Sequence, residues 1–173
     1  MKTYYILRLS LYIAIAVLIG VFSLELMNCL PYLVGSVMIV FGAEGILISI
    51  AKARKKVFQE AQFFLGHVDL ILGVVVVTTV HQFDYVCVIW ATWTIVREAF
   101  DFYEIAHKIY HKFPAIFSMI LSVVEIVFSI MLLIFATEHH ALTHIYLLIP
   151  EFVINGLSPL LFEIHKKRRS KKA

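Results

Sequence analysis

The stretch Leu30–Ile50 reads LPYLVGSVMIVFGAEGILISI, and Glu44 is its only charged residue. A helix needs about 20 mostly apolar residues to cross the hydrocarbon core of a bilayer. The stretch therefore predicts a membrane-spanning helix. Its small residues Gly35, Gly42 and Ser49 recur every seven positions. They lie on one helix face, where small side chains let a neighbouring helix approach closely, so we expect them to serve packing.

The rest of the chain has the same apolar character. It contains 173 residues, of which 61% are hydrophobic and 16% are charged, and its mean hydropathy is +0.90. A soluble domain usually carries about 25% charged residues, and a disordered chain has low hydrophobicity with high net charge. Both classes are therefore excluded. Two cysteines also exclude a disulfide-rich scaffold.

Six stretches have the length and apolarity that a membrane helix requires. They are Tyr4–Leu26, Leu30–Ile50, Ala61–Val80, Tyr85–Ile105, Phe113–Ala136 and Ala141–Ile164. The connections between them are too short to form a soluble domain. We therefore predict an all-α polytopic membrane protein with six transmembrane helices in a single integral membrane domain, residues 1–173.

The basic residues predict the orientation of these spans. They concentrate at the N-terminus, between spans 2 and 3, between spans 4 and 5, and in the tail 166–173. The other three connections contain no lysine or arginine. Because basic residues accumulate on the cytoplasmic side, we expect both termini to be cytoplasmic. We expect the tail to contact anionic lipid headgroups, and we expect no nucleic-acid partner.

The chain repeats itself as three hairpins, at about 1–54, 55–109 and 110–165. In spans 3 and 5, two small residues stand seven positions apart with an acid three after the first. These triplets are Gly66, Asp69 and Gly73, and Ser122, Glu125 and Ser129. In the even spans, Glu44, Glu98 and Asn155 occupy matching places. Three hairpins of one orientation predict a pseudo-threefold arrangement around an axis along the membrane normal.

Polar residues within the spans fall at similar depth. They are Glu44, Asp69, Glu98, Glu125 and Asn155. An ionised carboxylate costs about 2.5–3.5 kcal/mol at the centre of a membrane helix. These acids should face the protein interior, pair with donors, or be protonated, since desolvation raises the pKa of a carboxyl group. Two interpretations stay open: hydrogen bonds that fix packing, or a functional proton or cation path or protonation-dependent switch.

Span 4 adds a basic residue to this set. Arg97, Asp101, Glu104 and Lys108 lie on one helix face. Arg97 can pair with Asp101 in its own helix, or with Glu44 or Glu125 across helices. We expect a structural ion-pair cluster. Pro150 and Pro159 are the best candidates for a break in span 6, and broken helices mark the binding sites of many transporters.

The outer connections are rich in histidine, with His81, His139, His140 and His144 in or beside the turns. Histidine changes its charge between about pH 5 and 8. Three interpretations of these histidines stay open. We favour solvated turn residues over a pH-sensing face, and either of these over a metal site that includes Glu138. No enzyme motif is present, neither G-x-S-x-G nor H-E-x-x-H. We expect a non-enzymatic protein without a cofactor.

A resemblance to a known family rests on three segments, which are Leu65–Gly73, Ser122–Ser129 with Glu125, and Phe41–Ile46. With three hairpins over about this length, the chain resembles the HdeD family of bacterial membrane proteins. The resemblance implies an inner-membrane location and a part in acid resistance or envelope-stress tolerance. The buried acids would be its protonation-sensitive elements. The alternative is a small transporter or channel for protons, cations or a small solute. In both cases, assembly of several copies of the chain into a homo-oligomer stays open.

Overall fold

The computed structural model describes residues 2–53, 60–108 and 113–170. Side chains are described over 6–7, 9–50, 62–100, 102, 119–154 and 156–157. Across these residues the chain forms seven α-helices and no strand, which confirms the all-α prediction. The helices are α1 (Lys2–Val21), α2 (Ser23–Asn28), α3 (Leu30–Ala53), α4 (Glu60–Thr79), α5 (Phe83–Lys108), α6 (Phe113–Ile134) and α7 (Glu138–Ser170).

The first predicted span, Tyr4–Leu26, is divided by a bend at Phe22. Helical hydrogen bonds continue on both sides of the bend, since Phe22 N donates to Leu18 O (3.0 Å) and Leu26 N donates to Phe22 O (2.8 Å). Just after the bend, the buried Ser23 hydroxyl lies 3.1 Å from the Tyr146 hydroxyl of α7 and donates to it. This contact holds the start of α2 against α7.

The packing divides the chain into two compact units. One comprises Met1–Met27 with Ala91–Ala173, and the other comprises Asn28–Trp90. The second unit contains the antiparallel pair α3 and α4. There, a Cβ atom on Gly42 would lie 2.7 Å from Gly66 O, and a Cβ atom on Gly73 would lie 2.6 Å from Gly35 O. Only glycine fits such close backbones, so the predicted packing role of Gly35 and Gly42 is confirmed.

In the first unit, α1 packs along α7. The buried Tyr12 ring of α1 meets the Phe152 ring of α7 edge to face, with 5.5 Å between centroids. A Cβ atom on Gly156 would lie 3.0 Å from Tyr12 Cβ, so the glycine gives the tyrosine room. Aromatic pairs of this geometry stabilise a core by about 0.5–1.5 kcal/mol beyond the area they bury. They fix α7, which carries part of the site described below.

The last helix is continuous from Glu138 to Ser170, so the expected break at Pro150 or Pro159 is absent. A proline removes one backbone donor and crowds the preceding turn, but hydrogen bonds on both sides can keep a helix intact. The residue just before the helix is Thr137, whose Oγ1 accepts a hydrogen bond from His140 N at 3.4 Å. A threonine at this position is a typical N-cap.

Within the part of the chain that the structure describes, two helices are long and apolar enough to cross a membrane, over Leu30–Ile50 and Gln62–Thr79. Shorter apolar segments cover Leu9–Val21 and Met119–Ile134. Large apolar side chains are exposed along α1, α3, α4 and α6, among them Leu7 (67%), Leu47 (66%), Phe64 (68%) and Ile134 (64%). Soluble monomers rarely expose apolar surface this extensive, so these faces are suited to lipid.

Candidate carboxylate site

Three glutamates from three helices meet in the interior of the first unit. Glu98 of α5 is 6% exposed, Glu125 of α6 is 3% exposed and Glu151 of α7 is 9% exposed. One carboxylate oxygen from each residue lies within 4.8 Å of the other two. Acidic residues are almost never this buried unless they are paired or bind an ion. We refer to these three residues as the carboxylate cluster.

Helical periodicity explains why the cluster forms in α6 and α7. On α6, Ser122, Glu125 and Ser129 are all buried, at spacings of three and four residues that place them on one face. On α7, His144 and Glu151 are buried and stand seven residues apart, which is two helical turns. Because α6 packs against α7, these two faces bring Glu125 and Glu151 together.

The cluster lies far from the helix ends. At a rise of about 1.5 Å per residue, Glu98 is about 22 Å from the start of α5, and Glu151 is about 20 Å from the start of α7. Glu125 is about 14 Å from the end of α6 by the same measure. All three glutamates therefore lie well inside their helices.

The cluster borders a small cavity. Its described lining is Trp93, Thr94, Arg97, Glu98, Glu125, His144, Leu147, Leu148 and Glu151. Its volume of about 10 Å³ is room for about one water molecule. Such a space excludes an organic solute and suits a single ion or water.

The electrostatics of the cavity favour a bound positive charge. Two unit charges 4.8 Å apart repel by about 3.5 kcal/mol at an effective dielectric constant of 20. The three carboxylates make three such pairs. Arg97 supplies a guanidinium to the lining, and its Cζ lies 5.5 Å from the centroid of the Trp93 ring. When all four groups are ionised their formal charge is −2.

Thr94 is the second unusual group of the cavity. It lines the cavity one turn before Glu98 and is 6% exposed. Among the described residues its Oγ1 has no hydrogen-bond partner. A buried hydroxyl without a partner costs about 1–3 kcal/mol. A ligand held between Thr94 and the carboxylates would remove that cost.

His144 lies deeper than the sequence suggests. It was expected beside an outer turn, but α7 begins at Glu138, and almost two helical turns separate the start of the helix from His144. The side chain is 2% exposed, and its Nε2 is hydrogen-bonded to Ser129 Oγ at 3.0 Å. His144 therefore belongs to the cavity lining.

The other predicted histidines stay near the surface. His81 and His139 are exposed, and His140 is half-buried. The Nδ1 atom of His140 lies 2.7 Å from Thr137 Oγ1, and its ring stacks on Phe135 with 6.3 Å between centroids. His140 thus supports the start of α7, and a pH-sensing role of this face stays a prediction.

Two of the remaining predicted residues are acids of the second unit. Asp69 is buried on α4 and Glu44 is half-buried on α3, both in the second unit. The side chains of Asp101 and Asn155 lie outside the described residues. Cys29 and Cys87 are free thiols.

Glu151 is the member of the cluster that sequence reasoning missed. Alignment of the hairpins selected Asn155, which is one turn further along α7. The signal was the polar spacing of His144, Glu151 and Asn155, at intervals of seven and four residues. That spacing defines one polar face on the mostly apolar middle part of the helix.

Comparisons of the chain with protein-family models, with curated proteins and with solved structures gave no match. The resemblance to the HdeD family therefore stays a prediction from the quoted motifs.

Proposed function

We propose that the chain is a polytopic inner-membrane protein with six spans in three hairpins and both termini in the cytoplasm. The two long apolar helices and the exposed apolar side chains of α1 and α6 support a membrane location. The distribution of basic residues supports the orientation. Lipid headgroups at the basic tail and a second copy of the chain are its proposed partners.

We infer that this protein is a small cation transporter or channel and that the carboxylate cluster is its ion-binding site. The observation that carries the proposal is the meeting of Glu98, Glu125 and Glu151 within 4.8 Å. Ionisable residues inside membrane segments are costly and commonly mark ion pathways. Three of them around one small cavity form a binding site in which a cation offsets their mutual repulsion.

The size of the cavity defines what can be carried. Room for about one water molecule favours a single inorganic ion over a sugar, an amino acid or another organic solute. Because several elements supply the acids, a small shift of one helix would open the cluster and release the ion. The role in acid resistance or envelope stress stays a prediction from the HdeD resemblance, as does the absence of enzyme activity.

Flux through proteoliposomes tests the transport proposal. Vesicles containing the purified protein would be loaded with indicators for protons, sodium, potassium, calcium and manganese, and each ion gradient would be applied in turn. We expect at least one ion to enter faster than in protein-free vesicles, and we expect Glu125→Gln and Glu151→Gln to abolish the difference.

The matched control is Glu138→Gln, because Glu138 is an exposed acid at the start of α7. This variant should transport as the parent protein does. Entry of every ion at the protein-free rate would contradict the proposal. Equal flux in the parent protein and in both cluster variants would also contradict it.

A further inference from the structure

We propose that the carboxylate cluster and Thr94 form a binding site for one divalent cation of the size of Ca²⁺. The inference deepens the proposed function by naming the ion class, and it rests on the same cluster. It does not require that the ion be transported.

The first step concerns charge. The three carboxylates with the Arg97 guanidinium sum to a formal charge of −2 when all are ionised. A divalent cation neutralises this charge, whereas a monovalent cation leaves one negative charge buried. Buried charges are retained in proteins only where they are paired or bound to metal. The lining therefore favours a divalent ion.

The second step concerns the donor atoms. The cluster offers carboxylate oxygens, and Thr94 adds a hydroxyl oxygen. His144 also lines the cavity, but its Nε2 is engaged by Ser129 Oγ at 3.0 Å. Oxygen donors suit hard cations such as Ca²⁺ and Mg²⁺, while zinc prefers histidine nitrogen and cysteine sulfur. Hard divalent cations are thus the class that fits.

The third step concerns size. Calcium binds oxygen at about 2.3–2.6 Å, so two ligands on opposite sides of the ion stand about 4.6–5.2 Å apart. Magnesium binds at about 2.0–2.1 Å, which gives at most about 4.2 Å. The cluster oxygens lie within 4.8 Å of one another. Three oxygens at this upper limit stand about 2.8 Å from their common centre, so a small inward shift of the side chains lets all three bind one Ca²⁺ ion. Magnesium would require a larger shift, and it usually keeps several water molecules, for which the cavity has no room.

The fourth step is the independent observation at Thr94. This side chain is more than nine-tenths buried, lines the cavity, and has an Oγ1 atom without a partner among the described residues. A hydroxyl is a neutral oxygen ligand, so it completes the coordination without adding charge. Packing alone gives no reason to bury a threonine hydroxyl here, because valine has nearly the same shape.

Two measurements on the purified full-length protein in detergent test the site. Calorimetric titration with CaCl₂ should show one saturable site per chain, and titration with MgCl₂ should show binding at least about tenfold weaker. In addition, Tb³⁺ is a luminescent substitute for Ca²⁺ that accepts energy from nearby indole rings. Excitation of tryptophan should produce Tb³⁺ emission that Ca²⁺ abolishes, and Trp93→Phe should reduce that emission several-fold.

Variants assign the ligands. Glu125→Gln and Glu151→Gln should each weaken Ca²⁺ binding by about 100-fold or more, because each removes a charged ligand. Thr94→Val keeps the shape of the side chain and should weaken binding about tenfold. It also keeps the test valid if a glutamine variant fails to fold. Thr78→Val, at an exposed position on α4, and Glu138→Gln are the matched controls and should bind as the parent protein does.

Any one of three results would overturn the inference. The first is a lack of saturable Ca²⁺ binding, and the second is Mg²⁺ binding that equals or exceeds Ca²⁺ binding. The third is an unchanged Ca²⁺ affinity in folded Glu125→Gln and Thr94→Val proteins. The outcome is separable from that of the transport proposal. Calcium binding without ion flux contradicts transport alone, while glutamate-dependent flux without calcium binding contradicts the ion assignment alone.

Discussion

Ser129 on α6 and His144 on α7 are joined by a buried hydrogen bond of 3.0 Å between Oγ and Nε2. Ser129 stands one helical turn from Glu125, and His144 stands two turns from Glu151. The hydrogen bond therefore fixes the register in which α6 and α7 present their glutamates. It connects the packing of the hairpin directly to the geometry of the carboxylate cluster.

Loss of this hydrogen bond should destabilise the protein. Ser129→Ala removes the hydroxyl that is hydrogen-bonded to the buried His144 Nε2, and we expect a loss of about 1–3 kcal/mol in the free energy of unfolding. Thermal and denaturant unfolding in detergent, followed by circular dichroism, would measure it. Thr78→Ala is the control, because the Thr78 hydroxyl is exposed and bonds only within its own helix among the described contacts. A Ser129→Ala protein as stable as that control would show that the bond does not hold the hairpin.

The glycines of α3 and α4 should not tolerate a methyl group. A Cβ atom on Gly73 would lie 2.6 Å from Gly35 O, so Gly73→Ala forces two backbones apart. We expect a loss of about 1–3 kcal/mol in the free energy of unfolding. The matched control is Gly20→Ala on α1, where the new Cβ atom would meet Ile149 Cδ1 at 3.5 Å, an ordinary contact.

Because alanine is a better helix former than glycine, Gly20→Ala should be neutral or should stabilise the protein by about 0.5–1 kcal/mol. The unfolding curves of the two variants would be compared with that of the parent protein. Equal stability of the Gly73→Ala and Gly20→Ala proteins would contradict the close packing of α3 on α4.

Acid should weaken calcium binding. The groups that face the cavity are Arg97 and Glu98 from α5, Glu125 from α6, and His144 and Glu151 from α7. A carboxylate must be deprotonated to bind a metal ion, so protons compete with Ca²⁺. Calorimetric titrations between about pH 7.5 and about pH 5.5 should show an affinity that falls as the pH falls. An affinity that stays constant or rises over this range would disagree with carboxylate ligation.

The charge of Arg97 should set the preferred charge of the bound ion. Arg97→Gln changes the formal charge of the lining from −2 to −3, so the ratio of Tb³⁺ affinity to Ca²⁺ affinity should increase by about tenfold or more. Arg97→Lys keeps the charge and should leave the ratio near its parent value. The two affinities would be measured by competition in the same detergent. An unchanged ratio in Arg97→Gln would argue against charge balance as the basis of ion choice.

The helical class of the fold was predictable because its signal is local. Apolar stretches separated by short connections define the helices, and small residues seven apart, such as Gly35 and Gly42, define a packing face. Two features were not predictable. The bend at Phe22 precedes the hydrogen bond of Ser23 to α7, which is a tertiary contact. The α7 helix continues through Pro150, although a proline inside a helix usually marks a kink or a break.

The candidate site was predictable in part. Counting residues from the span ends selected Glu98 and Glu125, and the cost of burying charge predicted that they face the protein interior. Both side chains are buried in the structure. The same count cannot decide which acids share a site. Asp69 is buried in the second unit, while Glu151 completes the cluster because it shares a face of α7 with His144. The packing of α7 decides which of its faces points into the unit. An alignment of the hairpin sequences carries no information about that packing.

Anomalous diffraction from crystals grown with Tb³⁺ or with Mn²⁺ tests most directly whether the carboxylate cluster holds a cation. The account predicts one strong anomalous peak per chain within about 2.6 Å of carboxylate oxygens of Glu98, Glu125 and Glu151. The peak should weaken when Ca²⁺ is added in excess and disappear in Glu125→Gln crystals. A cluster without a peak, in crystals where Tb³⁺ or Mn²⁺ is bound elsewhere on the protein, would contradict the account.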